Sequence, residues 1–276
     1  MTQSVQSVSK ALDLLCCFSA DRPEWGVTEV ADYLGLCKSA AHRILATCEQ
    51  YHFVTRTPQR RYRLGNRALE LGNTYRLNRQ LLRKAEPILL SLAEDTRSTA
   101  RLAELDGKDI FELGQSAGVN FAWHRLAPRF RIAAHATALG KVLLAFGGEQ
   151  MVEDFVGLYQ NLKRYTPFTI ATPGKLKAEL KLVLERGYAI SNQECFINCC
   201  CIAVPVKDRS QKTIAALSVS CTPERLGGNE LDEMLHALSK AVKNIGSEQI
   251  GSMRTPTRQS QNSALASASA AFRAPA

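Results

Sequence analysis

Lys38, Ser39, His42 and Arg43 fall within one short stretch, GLCKSAAHRIL, residues 35–45. On a helix, Ala41, Ile44, Leu45 and Cys48 make one apolar face, and Ser39, His42, Arg43 and Ala46 lie opposite them at 3-1-3 spacing. Such a face suits a DNA major groove. Arginine donates to a guanine edge or to a phosphate, and serine and histidine can do either. Lys38, at the helix start, would hold a phosphate together with Arg56, Arg60, Arg61 and Arg63 downstream. The chemistry on offer is recognition of a polyanion.

These side chains need a scaffold, and the flanking sequence supplies one. Residues 7–19 read as an amphipathic helix with Val8, Ala11, Leu12, Leu15 and Cys16 on its apolar face. The stretch RPEWG breaks it, and Thr28 is a suitable N-cap for a second helix whose apolar face is Val30, Ala31 and Leu34. Gly35 ends that helix and Leu36-Cys37 leads into the next. Cysteine is a poor N-cap, so Ser39 or solvent must compensate at Cys37. FVTRTPQRRYRLG then offers two short β-like runs around a Thr-Pro-Gln turn. Helix, helix, tight turn, helix and basic hairpin, over residues 5–66, is the order of a winged helix-turn-helix.

The charge is placed accordingly. The chain of 276 residues carries a net charge of +9. Residues 38–84 hold 11 basic and 2 acidic residues, while the rest has 24 of each. The whole excess sits in one stretch, as in a polyanion-binding module joined to a neutral one. A solvated basic face on a small helical domain is the plainer alternative, and the ordered elements argue against it. No apolar run approaches the roughly 20 residues of a membrane span. The N-terminus has no basic region followed by an apolar block and cleavage site, so a cytoplasmic protein is expected. Nine cysteines, odd in number and clumped, fit reduced thiols better than a disulfide framework.

Leu64, Ala68, Leu71, Tyr75, Asn78, Leu82 and Ala85 are spaced as a heptad seam, about three heptads long and ended by Pro87. The spacing predicts one helix over 64–86, with residues 67–85 serving as a dimer-forming linker; packing within its own domain is the alternative. Residues 86–247 mix helices and strands: a hairpin around Asp106-Gly107, a helix at TALGKVLLAF, a helix running into a strand at TPGKLKAELKLVLERGYAI, two strands around a polar turn at 201–221, and a closing helix near 228–246. This order indicates an α+β domain with an antiparallel sheet. Residues 248–276, rich in Ser, Ala and Gln, read as a disordered tail.

Six motifs in order, SVSKALDLL, GVTEVADYLGLCKSAAHRIL, YRLGNRALELG, AHATALGKVLLA, ERGYAISNQE and CIAVPV…AALSVS, resemble the IclR family of bacterial transcription regulators over residues 5–247. The resemblance implies an N-terminal winged helix-turn-helix, a linker helix and a C-terminal GAF-like domain with an antiparallel sheet flanked by helices. It implies a dimer or tetramer that represses or activates a catabolic operon in response to a small effector. Family effector pockets lie between the sheet and the loop leading into the ATALGK helix. Carried over, this points to Ala138 and Leu139 at the helix start, and to Ser191, Cys201, Ser218 and Ser220. A helix start offers free N–H groups that suit a carboxylate. Close helix–sheet packing is the plainer reason for such small residues. Ser191-Asn192 replaces an acidic residue frequent in the family, and Asn198 replaces a usual glycine, at a turn where asparagine tolerates left-handed backbone.

Other chemistries find less support. Cys195, Cys199, Cys200 and Cys201 lack the second pair of a zinc site, and adjacent cysteines in a strand face opposite ways, so no metal or other cofactor is expected. His135 with Cys201 lacks an orienting third group, and TPGKL and ALGKV lack the glycine and hydroxyl of a phosphate-binding loop. His135 is expected to pack or cap near its helix. An enzyme is therefore not expected. The remaining alternative is a constitutive or thiol-redox-responsive DNA binder without a small-molecule effector.

Overall fold

A computed structural model describes residues 5–19, 21–106, 109–117, 133–158 and 161–247. The N-terminal unit opens with α1 (Gln6–Cys16), α2 (Val27–Leu34) and α3 (Lys38–Gln50), followed by a hairpin of β1 (Val54–Arg56) and β2 (Tyr62–Leu64). Leu14, Val30, Ala31, Leu34, Ala41, Leu45, Val54 and Tyr62 are buried together with Trp25, whose backbone pairs with that of Tyr62. Gly35 turns the chain between α2 and α3 with φ of 63°, a left-handed conformation that costs glycine little. The Leu36 N–H then donates to the Ala31 carbonyl at 2.8 Å, closing the end of α2.

Two local expectations change. The N-cap of α2 is Gly26, not Thr28: the Gly26 N–H donates to Glu29 Oε2 at 2.7 Å, so a carboxylate one turn in does the capping. On α1 the inward residues are Leu14 and Cys17, with Ala11 and Leu15 partly covered, while Val8, Leu12 and Cys16 are exposed. The expected face is therefore split, with Ala11 and Leu15 turned toward the core and Val8, Leu12 and Cys16 turned away.

The predicted single helix over 64–86 is two. α4 (Asn66–Asn78) ends at Arg79, whose extended backbone (φ −97°, ψ 93°) also starts α5 (Gln80–Thr96). Arg79 reaches Glu104 and lies over the Tyr75 ring, and Arg76 pairs with Glu86, so charged contacts fix the joint. Pro87 does not end α5. Burial of Leu82, Ala85, Leu89, Leu92 and Ala93 along the helix outweighs the roughly 3 kcal/mol cost of an interior proline.

The C-terminal unit is an antiparallel sheet of β3 (Thr99–Asp106), β4 (Asp109–Ala117), β5 (Ala189–Asn192), β6 (Cys200–Lys207) and β7 (Thr213–Cys221), in the order β4-β3-β7-β6-β5. Alternation splits its residues cleanly. Ala100, Leu102, Ile202, Val204, Leu217 and Val219 face α5 and α9 (Gly228–Ser247). Ala103, Ala189, Ala203 and Ala216 face α6 (Ala138–Phe146) and α8 (Pro173–Arg186), with α7 (Glu149–Gly157) packed on α6. Alanines on that face let α6 lie close to the strands. The α+β architecture, a winged helix-turn-helix followed by an antiparallel sheet flanked by helices, is the one expected. Residues 248–276, read as a tail, lie outside the described residues, as does the loop at 118–132.

Candidate DNA interface and effector site

On α3 the division into faces holds. Ala41 and Leu45 are fully buried, and Lys38, Ser39, His42, Arg43 and Ala46 are exposed on the other side. Cys37 is the N-cap; its Sγ lies 3.3 Å from the Ser39 Oγ. That hydrogen bond, with backbone N–H groups of the first turn, holds the Cys37 thiol below its ordinary pKa.

The wing arginines do not form one set. Arg56, Arg60 and Arg63 are exposed, Arg60 at the hairpin turn with φ of 61°. Arg61 points back into its own domain. Its Nη2 donates to Glu29 Oε2 at 2.7 Å and to the Glu24 carbonyl at 3.0 Å. Glu29 therefore caps α2 and anchors the wing at once, and both hydrogen bonds keep its carboxyl ionised below the usual range. Arg61 sets where the hairpin sits; the other three present the charge.

The second site lies on the α6 side of the sheet. Register places Ser191, Cys201, Ser220 and Thr99 in one cross-strand row and Ala203, Ser218 and Arg101 in the next. Thr137 caps α6 by accepting from the Gly140 N–H at 3.2 Å, and Ala138 and Leu139 are buried in the first turn. A side chain at Gly140 would collide with the Ala134 carbonyl, so the segment leading into α6 is held tightly against it. Ser191 spends its hydroxyl here, donating to the Ala136 carbonyl at 3.0 Å. The sheet thus brings Cys201, Ser218 and Ser220 together, with Ala138 and Leu139 in the helix packed over this face. Ser191 fastens the edge.

Three residues missed in the sequence complete this face. Arg101 is 9% exposed, its Nη1 3.4 Å from the Ser220 Oγ and its Nε 3.3 Å from Gln115 Oε1. Glu112 Oε2 lies 3.5 Å from the same Nε. Burial pushes the Glu112 carboxyl up to about 7, because the long contact to Arg101 only partly offsets desolvation. The signal was present in TARLAEL: Arg101 shares strand parity with Thr99 and Ala103, so a charge had to lie on a face otherwise made of small residues.

Cys201 Sγ lies 3.4 Å from the Ser220 Oγ. Hydrogen bonds from Cys199 and Ser220, and the nearby Arg101 charge, favour its thiolate, whereas Cys199 is held strongly protonated. Cys200 points to the opposite face and is fully buried. His135 packs beside Tyr165 and its Nε2 meets the Lys163 carbonyl at 2.9 Å, so it forms no pair with Cys201. Lys141 of the ALGK stretch is buried against Glu194 at 2.6 Å, tying α6 to the β5–β6 connection. Among the described residues no cluster of metal-ligating side chains occurs, and no helix is long and apolar enough to cross a membrane.

A basic helix and wing on one unit, and a helix laid over a buried polar sheet face on another, define a DNA-binding regulator with a ligand domain. Residues 7–58 match the IclR helix-turn-helix domain, and residues 74–247 match the family described as bacterial transcriptional regulator IclR C-terminal. The chain is 32% identical over 240 residues to the HTH-type transcriptional regulator XynR of Escherichia coli K12, covering 86% of this chain and 94% of that protein. The crystal structure of Thermotoga maritima IclR has a TM-score of 0.70 at 26% identity, over 87% of this chain and 97% of that one. An IclR homolog from Microbacterium hydrocarbonoxydans, solved with 4-hydroxybenzoate, shares the fold with a TM-score of 0.78 at 24% identity, over 87% and 98%. The chain belongs to the IclR family: it is a DNA-binding transcriptional regulator with a C-terminal effector domain, and not an enzyme.

Proposed function

We propose that this regulator acts in the cytoplasm as a homodimer on the operator of a catabolic operon, and that its effector is a small organic acid. Lys38, Ser39, His42 and Arg43 read the major groove, and Arg56, Arg60 and Arg63 hold phosphates, with Arg61 fixing the wing. The effector carboxylate meets Arg101, with Ser218, Ser220 and Cys201 beside it and the first turn of α6, Ala138 and Leu139, above. The observation that carries this is the charge balance on the sheet face. Arg101 is buried, its acidic neighbour Glu112 stands off at 3.5 Å with a carboxyl that burial pushes up, and its hydrogen-bond partners Gln115 and Ser220 are neutral, so the guanidinium charge is incompletely cancelled. An incoming carboxylate would complete it.

Effector binding reaches the DNA through the joint at Arg79, where α4 leaves the head and α5 packs on the sheet. The test is to map genomic fragments retained by the full-length protein at physiological salt, with and without a panel of carboxylic acids. A few enriched promoters whose occupancy one acid changes, with that response abolished in Arg101→Gln, is the expected result. Diffuse binding that no acid alters, or an Arg101→Gln protein that responds normally, would sink the proposal and favour a constitutive DNA binder.

A further inference from the structure

Cys199 and Cys201 are two residues apart where the chain enters β6. Asn198, with φ of 60°, turns the chain, and the Cys199 N–H donates to the Phe196 carbonyl at 3.3 Å. Cys199 lies just before β6 and its side chain hydrogen-bonds that of Cys201, while Cys200 enters the core on the α5–α9 side. The two thiols hydrogen-bond one another, so the sulfurs already meet, and a local shift of the segment before β6 brings their Cβ atoms to the roughly 4 Å a disulfide needs. Cys201 retains solvent-accessible surface and has a hydroxyl and a guanidinium on its side, Ser220 at 3.4 Å and Arg101 beyond it. Cys199 is buried and protonated. These are the complementary attributes of an attacking and a resolving thiol.

We propose that Cys201 and Cys199 form a peroxide-sensitive dithiol in the effector face, giving the regulator a redox input separate from its effector. The Cys201 thiolate attacks one oxygen of hydrogen peroxide; the O–O bond breaks, hydroxide leaves, and Cys201 becomes a sulfenic acid, oxidised by two electrons. The Cys199 sulfur then attacks the Cys201 sulfur. Its proton and the sulfenic hydroxyl leave as water, and the S–S bond forms. The product removes the Cys201 sulfur from Ser220 and changes the face on which an effector would lie.

The full-length protein is titrated with hydrogen peroxide, digested, and the peptide from Gly187 to Lys207 is sequenced by mass spectrometry without reduction. The expected result is a loss of two hydrogens mapped between Cys199 and Cys201, formed as fast in Cys200→Ser as in the wild type. In Cys199→Ser, dimedone traps a sulfenic acid at Cys201; in Cys201→Ser, peroxide consumption by this peptide slows by at least about tenfold. Phenylarsine oxide, which bridges two close thiols without oxidation, provides a check on the unmodified protein: it should block Cys199 and Cys201 together. A disulfide mapped elsewhere, dimedone on another cysteine, an unchanged rate in Cys201→Ser, or failure of the arsenical to bridge this pair in the wild type would each overturn the proposal.

Discussion

Glu112 gives the effector domain a pH dependence that can be calculated and then removed. Its carboxyl is pushed up to about 7 in the folded protein from an ordinary value of 4.5. Between those values the native state holds a proton that the unfolded chain has released, so stability falls as pH rises through this window and levels off above it. For one group moved this far, the loss between pH 5 and pH 8 is about 2–3 kcal/mol. Glu112→Gln keeps the shape and cannot ionise, so it should lose that much less over the same interval. Urea unfolding of both proteins at pH 5 and pH 8, followed by far-ultraviolet circular dichroism, measures the difference of differences. Parallel behaviour would refute the reasoning. So would a wild type that gains stability toward pH 8 relative to the variant, since Arg101 would then be holding Glu112 ionised.

The same carboxyl should modulate ligand affinity. Taking an organic anion about 10 Å from Glu112 at an effective dielectric of about 20, their repulsion is about 1.7 kcal/mol. Binding measured by calorimetry should therefore weaken about sixfold from pH 6 to pH 8 in the wild type, and stay level in Glu112→Gln. Arg43→Ala should cost about 1–3 kcal/mol of operator affinity by fluorescence anisotropy and leave effector affinity intact; equal loss of both would contradict separate sites. Arg61→Ala should act differently, destabilising the head by about 1 kcal/mol through the half-exposed pair with Glu29, with only a small change in the salt slope of DNA binding.

Much of the head was legible because its elements are short, amphipathic and punctuated. Gly35, the apolar set of α3 and the hairpin around Pro58 each act locally, and local signals survive reading in one dimension. What failed depended on distant partners. Thr28 looked like the cap because Glu29 had no visible role until the Gly26 N–H and Arg61 met it from two directions. Arg61 looked like its neighbours because nothing in RRYR distinguishes an inward arginine from an outward one. Pro87 looked like a stop because the burial that overrides it comes from the sheet and α9. At the effector site the hydroxyls and thiol were read as positions of a family pattern. Arg101 and Glu112 stand out only once the register of β3 and β4 puts them on one buried face, where a charge is the most informative residue of all.

α4 and α1 each turn an apolar stripe outward. α4 spans 13 residues with no buried side chain, and Leu69, Leu71, Tyr75 and Leu77 are all exposed. A helix of this length is marginal in water without a packed face, so α4 as it stands lacks a reason to be helical. α1 has the matching deficit: Val5, Val8 and Leu12 are more than half exposed. Both stripes lie on the head or at its junction with the effector domain. A second copy that covers them would supply the missing contacts and set the spacing of two recognition helices at once. Replacing Leu71 and Leu77 with lysine should then yield monomers by sedimentation at concentrations where the wild type is dimeric. Operator affinity should fall far more than in either single-head substitution, because each head would bind alone. A double variant that remains dimeric, or a monomer that binds the operator as tightly as the wild type, would show that α4 is stabilised by something else.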